Sequence, residues 1–237
     1  MSKQEIFKFR PGVILYPFLF VFAIWIVYWF EIRFGFDFTK HGILPRDIKG
    51  LQGVFFSPFI HSGIKHLYNN TFPLLVLSMA LFYFYNSVSW KVLSYGIIIS
   101  GVLTWIFARN AYHIGASGVI YLLSSFIFFR GIFAKHYRLI AVSLTVVFLY
   151  GSLIWYVFPV NEEISWEGHL SGFIAGLLLA LFFKEDILPK KVYKWEHSEE
   201  DDPFLKHFDE NGNFVPTSEL EKTDSLNPGE DKEKIND

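Results

Sequence analysis

Ser117 and His169 are polar residues within the apolar part of this sequence, and their side chains could do chemistry together. Ser117 lies in "HIGASGV", where an irregular stretch gives way to a long apolar run, and His169 lies in "SWEGHLSG", near the start of the last apolar run. A histidine within hydrogen-bond reach activates a serine hydroxyl as a nucleophile. If a fold brings the two side chains together, acyl transfer is the predicted chemistry.

The predicted position of Ser117 at the start of a helix suits this chemistry. The first backbone N–H groups of a helix lack partners within the helix, and the helix dipole favours negative charge at that end. An oxyanion formed at Ser117 would therefore find donors in place. Two other interpretations stay open from these residues alone: a serine that packs between helices, and a structural histidine that bonds a carbonyl.

Small residues that follow His169 predict that its helix approaches the Ser117 helix closely. Gly172 and Gly176 stand at i+3 and i+7 from His169, on one helical face, with the four-residue spacing that permits close contact. The facing helix is expected to offer Ser117, Tyr121 and Ser124. Packing of these faces would bring His169 Nε2 within hydrogen-bond reach of Ser117 Oγ.

Other polar residues could complete this pair or compete with it. His66 and Asn70 stand one turn apart at the start of the second apolar run, so both side chains could donate to an oxyanion. His113 is a rival base, four residues from Ser117. We expect no Asp or Glu within the apolar runs to orient His169, so catalysis would use a dyad.

Metal chemistry is the competing interpretation of the histidines. The spacing of His61, His66 and His169 includes neither a carboxylate ligand nor an HExxH pair on a helix. We therefore predict no metal and no cofactor. The chain has no cysteine, which excludes a disulfide framework, a thiolate nucleophile and a Cys-based zinc site.

The elements that must position these residues are membrane helices. The 237-residue chain is 52% hydrophobic and has 28 Phe, which is more apolar bulk than a soluble domain needs. A bilayer core requires roughly 20 mostly apolar residues per helix. Six such runs lie near residues 12–30, 67–85, 92–108, 117–133, 138–157 and 167–183. The sequence therefore predicts an all-α membrane protein with a six-transmembrane-helix bundle.

Positive charges predict the orientation of this bundle. Cytoplasmic ends of membrane helices carry the excess of Lys and Arg. Six such residues fall on one side of the predicted bundle, and eleven fall on the other, namely Lys3, Lys8, Arg10, Lys91, Arg130, Lys135, Arg138, Lys184, Lys190, Lys191 and Lys194. Both termini are therefore predicted to be cytoplasmic, with residues 1–11 as a cytoplasmic N-terminus and the polar site open to the outer side.

Two segments are predicted to lie outside the membrane helices. Residues 31–66 are amphipathic and aromatic, which favours a position in the membrane interface on the outer side over an ordinary loop. Residues 186–237 form an acidic end, with 14 acidic and 4 basic side chains from residue 195 onward, which predicts a largely disordered cytoplasmic tail. Its "DENGNF" resembles the start of a calcium loop, but Phe214 stands where the turn needs glycine, so calcium binding is not expected.

Three separated motifs, taken in order, resemble the rhomboid family of intramembrane serine proteases. They are "HSGIKHLYNN" in the second predicted helix, "GASG" with Tyr121 four residues after Ser117, and "GHLSGFIAG" in the last helix. The resemblance covers about residues 10–185. It implies a six-helix protease domain at residues 12–185, with Ser117 as the nucleophile and His169 as the general base.

The resemblance also implies supporting roles. Tyr121 would pack against the imidazole, His66 and Asn70 would donate to the oxyanion beside the Ser117 N–H, and His61 would be a supporting histidine. The matching glycines are Gly115, Gly118, Gly172 and Gly176. One departure is that many rhomboids carry a Trp-Arg pair in the first outer loop, whereas "GLQGVFFSPFIH" has none. The anchoring of this loop is therefore expected to differ.

The function implied by the resemblance is cleavage of transmembrane segments of membrane proteins, without cofactor or nucleic acid. The location implied is a bacterial cytoplasmic membrane, with transmembrane substrates and the lipid bilayer as partners. A catalytically silent rhomboid-like binding protein would lack the serine or the histidine, and both are present. A transporter would show internal repeats with helices broken at matching positions, and the sequence shows none. The oligomeric state is left open.

Overall fold

The computed structural model describes parts of two units of this chain. In the first unit, Met1–Pro189, residues 9–159 and 165–183 are described. In the second unit, Lys190–Asp237, residues 204, 207–209 and 212–217 are described. Residues 1–8 of the predicted N-terminal segment and most of the predicted tail therefore lie outside the described residues. The described part is helical and has only isolated β-bridges, which confirms the predicted all-α class.

Six long helices and one short helix are described in the first unit. They are α1 (Gly12–Phe34), α2 (Gly53–Phe56), α3 (Ile64–Phe84), α4 (Ser89–Phe107), α5 (Ser117–Phe133), α6 (Tyr137–Tyr150) and α7 (Trp166–Phe182). The six long helices match the six predicted runs. However, α3 and α4 each begin three residues before the predicted run, because polar residues such as Lys65 occupy their first turns.

The lengths of the helices differ in a way that matters for the polar residues. By length and composition α1, α3 and α4 are long and apolar enough to cross a membrane. α5 and α7 have 17 residues each, which gives about 25 Å of helix against a hydrocarbon core of about 30 Å. The first residues of α5 can therefore lie below the membrane surface.

The fifth predicted run, residues 138–157, contains two conformations. α6 ends at Tyr150, and the rest of the run is a 3₁₀ helix, Gly151–Val157. Glycine is a poor helix former, so Gly151 is a natural end point for α6. The 3₁₀ helix brings the Tyr156 carbonyl to a side chain of α7. In a continuous α-helix this carbonyl would have accepted a hydrogen bond from within the helix.

α5 is the central helix of the described bundle and packs against α3, α4, α6 and α7. Four of its apolar side chains, Leu122, Leu123, Phe126 and Ile127, are completely buried. α1 packs on α3 and leaves large side chains such as Phe22 and Trp29 exposed, as expected for a surface in contact with lipid. The residue that begins the central helix is Ser117.

The connection between α1 and α3, residues 35–63, is a folded segment. It contains α2 and three 3₁₀ helices, Thr39–His41, Ile48–Gln52 and Ser57–Phe59. Its predicted bounds were 31–66, but α1 continues to Phe34 before Gly35 ends it in a left-handed conformation, φ 66°. Phe36, Ile48 and Phe55 are exposed while Ile43 is buried. A position in the membrane interface remains a prediction.

Arg46 and Trp105 anchor this connection to the end of α4. The Arg46 guanidinium donates to the carbonyl oxygens of Ile106 and Ala108 at 3.2 and 2.9 Å. The Trp105 indole donates to the Asp47 carbonyl at 2.9 Å. A cation that bonds the last carbonyls of a helix stabilises that end. In this chain an arginine and a tryptophan from separate segments thus anchor the connection.

The described residues of the second unit form a tight turn. An isolated bridge pairs Phe208 with Phe214, and Gly212 has a φ of 80°. Both carboxylate oxygens of Asp209 accept hydrogen bonds from Asn213, at 2.8 and 3.1 Å. The "DENGNF" stretch thus uses its first carboxylate to close a turn. The disorder predicted for the rest of the tail concerns residues outside the described part.

Candidate active site

Ser117 lies where an irregular segment enters α5. The chain leaves α4 at Phe107, and Gly115 adopts a φ of 111°, which side chains other than hydrogen rarely allow. The Gly115 N–H donates to the Ser57 carbonyl at 2.9 Å, so the segment is held against the connection before α3. This path makes Ser117 the first residue of α5, with its hydroxyl at the edge of a cavity.

His169 lies in the first turn of α7 and contacts Ser117 directly. Its Nε2 is 2.9 Å from Ser117 Oγ, and its Nδ1 is 2.9 Å from the Tyr156 carbonyl oxygen. A carbonyl can only accept, so Nδ1 carries the proton and Nε2 is left to accept from the serine hydroxyl. The ring is buried and stacks on Tyr121, with centroids 4.3 Å apart and planes inclined by 13°.

Close packing of α5 on α7 makes this contact possible. A Cβ on Gly172 would overlap the Gly118 carbonyl oxygen, and a Cβ on Gly176 would overlap the Leu122 carbonyl oxygen. Both predicted glycines are therefore required by the backbone of the facing helix. Ser117 and Tyr121 face α7 as expected, but Ser125 and not Ser124 continues this face of α5. The Ser125 hydroxyl, and not that of Ser124, donates to a carbonyl of α7, that of Phe173, at 2.8 Å.

His66 and Asn70 project from the start of α3 toward Gly115. A Cβ on Gly115 would lie 2.7 Å from His66 Nε2 and 3.6 Å from Asn70 Nδ2. Asn70 Nδ2 is buried and has no hydrogen-bond partner among the described residues. A buried amide donor without a partner costs free energy. The Asn70 Nδ2 donor lies beside the segment that leads into Ser117 and is not used by a described residue.

His61 precedes α3 by three residues and joins two segments of the site. Its Nδ1 lies 3.4 Å from the Phe59 carbonyl oxygen, and the Ala116 N–H donates to its Nε2 at 3.5 Å. Burial lowers the pKa of His61 to about 4, and the neighbouring His66 ring, centroids 5.0 Å apart, acts in the same direction. His61 is thus neutral at pH 7 and supports the residue before Ser117.

His113, the rival base, has other partners. Its Nδ1 lies 2.6 Å from Ser165 Oγ, and its Nε2 lies 3.0 Å from the Arg109 carbonyl oxygen. Burial lowers the pKa of His113 below its usual value. With both ring nitrogens engaged away from Ser117, His113 is not placed to take the serine proton.

A shared cavity connects these residues. It has a volume of about 860 Å³, and its lining includes Ser117, His169, Tyr121, His66 and Asn70. Arg109 and Lys65 lie at the same cavity and are exposed or nearly so. A space of this size admits several residues of an extended peptide. In the described part of the chain, no group of three or more His, Asp or Glu side chains could hold a metal ion.

Two features of the site could not be read from the residue types. The group that orients His169 is a backbone carbonyl, that of Tyr156, which carries no sequence signal. A carboxylate does lie in the first turn of α7: Glu167 is buried, and its Oε1 accepts from the Arg109 backbone N–H at 3.3 Å. It therefore does not hold the His169 ring. The charge of Glu167 is visible in the sequence, but its partner Arg109, 58 residues away, is not.

The fold and the site define a polytopic membrane protein whose helix bundle holds a serine and a histidine in hydrogen-bond contact. Residues 49–185 match the family model described as the Rhomboid domain, so the chain belongs to the rhomboid family. Members of this family are generally intramembrane serine proteases, although inactive pseudoproteases exist. The chain is accordingly an integral membrane protein of a protease family.

Relatives of this chain occur in mycobacteria. The uncharacterized protein Rv1337 of Mycobacterium tuberculosis (strain ATCC 25618 / H37Rv) is 32% identical over 177 residues, which covers 68% of this chain and 71% of the relative. The uncharacterized protein ML1171 of Mycobacterium leprae (strain TN) is 30% identical over 190 residues, which covers 73% of this chain and 71% of the relative. These similarities support membership of the family. Because both relatives are uncharacterized, the activity of this chain is argued from its site.

Proposed function

We propose that this chain is an intramembrane serine endopeptidase that cleaves transmembrane segments of membrane proteins through an acyl-enzyme. Ser117 is the nucleophile and His169 is the base. The observation that carries the proposal is a chain of two hydrogen bonds, from Ser117 Oγ to His169 Nε2 and from His169 Nδ1 to the Tyr156 carbonyl, each 2.9 Å long. It fixes the tautomer that a general base requires.

In the first half of the reaction, His169 Nε2 takes the Ser117 proton as the serine oxygen attacks the carbonyl carbon of the scissile peptide bond. The imidazolium that forms keeps its Nδ1–H bond to the Tyr156 carbonyl. The proton then passes from Nε2 to the leaving amide nitrogen, the C–N bond breaks, and the amine product departs. The other part of the substrate remains as an ester on Ser117.

In the second half, water replaces the amine. His169 Nε2 takes a proton from the water as its oxygen attacks the ester carbon, and the same proton returns to Ser117 Oγ as the carboxylic acid leaves. Both halves pass through a tetrahedral oxyanion. The proposed donors to it are the Ser117 N–H at the start of α5, Asn70 Nδ2 and His66 Nε2. The Asn70 amide nitrogen, which has no hydrogen-bond partner among the described residues, supports this role, because preorganised donors stabilise developing charge without reorganisation.

The substrates that fit this site are membrane helices that unwind locally. Carbonyls in a helix are occupied by hydrogen bonds, so small or helix-breaking residues near the cut should expose the scissile bond. We propose that both termini lie in the cytoplasm of a bacterium and that the cavity opens to the outer side. The reason is that the excess of Lys and Arg lies at the helix ends on the side of the termini.

The experiment that tests the proposal is cleavage of a single-span reporter substrate by the purified, detergent-solubilised protein. Ser117→Ala and His169→Ala should each remove nearly all turnover, because nucleophile and base act as one unit. Ser124→Ala is a matched control, since Ser124 lies on the same helix and has no hydrogen-bond partner among the described residues. Its turnover should equal that of the wild type.

The silent rhomboid-like protein is the alternative outcome. In that case the folded wild-type protein would bind the reporter, and its rate of reporter cleavage would be no higher than that of Ser117→Ala. Equal melting of the four proteins excludes misfolding as the reason for any difference in turnover.

A further inference from the structure

We infer that Arg109, His113, Ser165 and Glu167 form a latch that sets the distance between Ser117 and His169. This inference deepens the proposed function and rests on it. The latch joins the irregular segment that leads into Ser117 to the first turn of α7, which carries His169. Its members touch each other and are positioning residues, not groups that react.

The first tie of the latch joins His113 to Ser165. His113 Nε2 faces the Arg109 carbonyl at 3.0 Å, so Nε2 carries the proton, and Nδ1 accepts from the Ser165 hydroxyl at 2.6 Å. The Ser165 oxygen in turn accepts from the Gly168 N–H at 3.3 Å and thereby caps α7. One serine thus bonds both the segment before α5 and the helix that carries His169.

The second tie joins Arg109 to Glu167. Glu167 Oε1 accepts from the Arg109 backbone N–H at 3.3 Å and lies 3.7 Å from the Arg109 guanidinium. The Glu167 side chain is 6% exposed and that of Arg109 is 39% exposed. A carboxylate this deeply buried needs its cation, because removal of one partner leaves an uncompensated charge.

The latch acts on the dyad because its members lie close to Ser117 and His169 in the chain, and because the backbone of His113 is fixed by another segment. Three residues separate His113 from Ser117, and one separates Glu167 from His169. The backbone of His113 is paired with Ile43 through hydrogen bonds of 2.8 and 3.0 Å, so the ring cannot follow a movement of α7. Loss of a tie therefore lets α7 move relative to Ser117, and the 2.9 Å contact of the dyad lengthens.

The test compares His113→Ala with His113→Asn in the reporter assay, at a temperature well below both melting transitions. For His113→Ala we expect kcat to fall roughly 10- to 100-fold with KM unchanged, the size of effect that a misplacement of about 1 Å has on catalysis. His113→Asn should recover kcat to within about threefold of wild type, because the Asn oxygen can accept from Ser165 in place of Nδ1.

The matched control is Trp105→Phe. It removes one hydrogen bond, of 2.9 Å to the Asp47 carbonyl, from the anchoring of the 35–63 connection and leaves the latch intact. Its melting temperature should fall while its kcat stays at the wild-type value. This separates positioning from general stability, because a merely structural His113 would behave in the same way as Trp105.

The outcomes separate this inference from the proposed function. An active wild type together with a His113→Ala variant of unchanged kcat overturns the latch alone. A fall in kcat that His113→Asn does not recover also overturns it, because the bond to Ser165 would then not be the cause. A wild type that neither cleaves the reporter nor differs from Ser117→Ala overturns the proposed function, and the latch with it.

Discussion

Substitution of Gly172 by alanine tests whether close packing of α5 on α7 positions the dyad. The added Cβ would overlap the Gly118 carbonyl oxygen, and it would lie 3.0 Å from the carbonyl carbon of Gly118 and 3.2 Å from Tyr121 Cβ. Ordinary carbon to carbonyl-oxygen approaches are about 3.3 Å or longer, so the helices must separate by roughly 1 Å. The 2.9 Å bond between His169 and Ser117 would then exceed hydrogen-bond length.

The expected magnitude follows from this geometry. Overpacking costs about 1–3 kcal/mol of stability, and a misplacement of about 1 Å costs on the order of 10²-fold in turnover. Gly118→Ala is the comparison for stability, because a Cβ there would meet only ordinary contacts, 3.4 Å to Ser100 Oγ and 3.5 Å to the Gly168 carbonyl oxygen. It should melt at or above the wild-type temperature, since alanine favours helix over glycine by about 1 kcal/mol.

The assays are reporter cleavage and thermal melting in the same detergent. Gly172→Ala should lose turnover at a temperature where it is still folded, and its melting temperature should lie below that of Gly118→Ala. Wild-type turnover by Gly172→Ala, or equal melting of the two variants, would refute the reasoning that the backbone contact at Gly172 determines the distance between Ser117 and His169.

Three further predictions concern the surroundings of the dyad. Asn70→Ala should lower kcat by about 10²- to 10³-fold, as for the loss of an oxyanion donor, with KM and melting nearly unchanged; early melting with full turnover contradicts this. Because the folded pKa of His61 is about 4, below its unfolded value, protonation of His61 alone should lower stability by about 2 kcal/mol from pH 7 to pH 5; His61→Gln should make the pH profile of melting shallower, and an unchanged slope argues against this contribution. Arg46→Gln should lower the melting temperature, because two carbonyls at the end of α4 lose a cationic donor, and unchanged melting would show that the anchor is dispensable.

Much of the fold could be predicted because membrane helices have a simple signal. Apolar runs of bilayer length located all six long helices, and the start of α5 at Ser117 coincided with the change from polar to apolar residues. The starts of α3 and α4 were missed because polar first turns resemble loops. The end of α6 at Tyr150 was missed because the 3₁₀ segment that follows is as apolar as the helix.

The site was predictable in its side chains and not in its backbone. Ser117 and His169 are marked by polarity in apolar runs, and the glycines of α7 indicated that the two helices could approach. The Tyr156 carbonyl has no residue type to mark it, and the pairing of Glu167 with Arg109 joins positions 58 residues apart. Such contacts depend on the path of the chain in space, which one sequence without its structure does not specify.

The central claim is that Ser117 is a nucleophile activated by His169. The most direct measurement is mass spectrometry of the protein after reaction with a serine-directed fluorophosphonate, in its own membrane. The account predicts a covalent adduct on Ser117, formed far more slowly in His169→Ala and not in Ser117→Ala. A folded wild-type protein without an adduct on Ser117, or a His169→Ala variant that reacts at the wild-type rate, would contradict it.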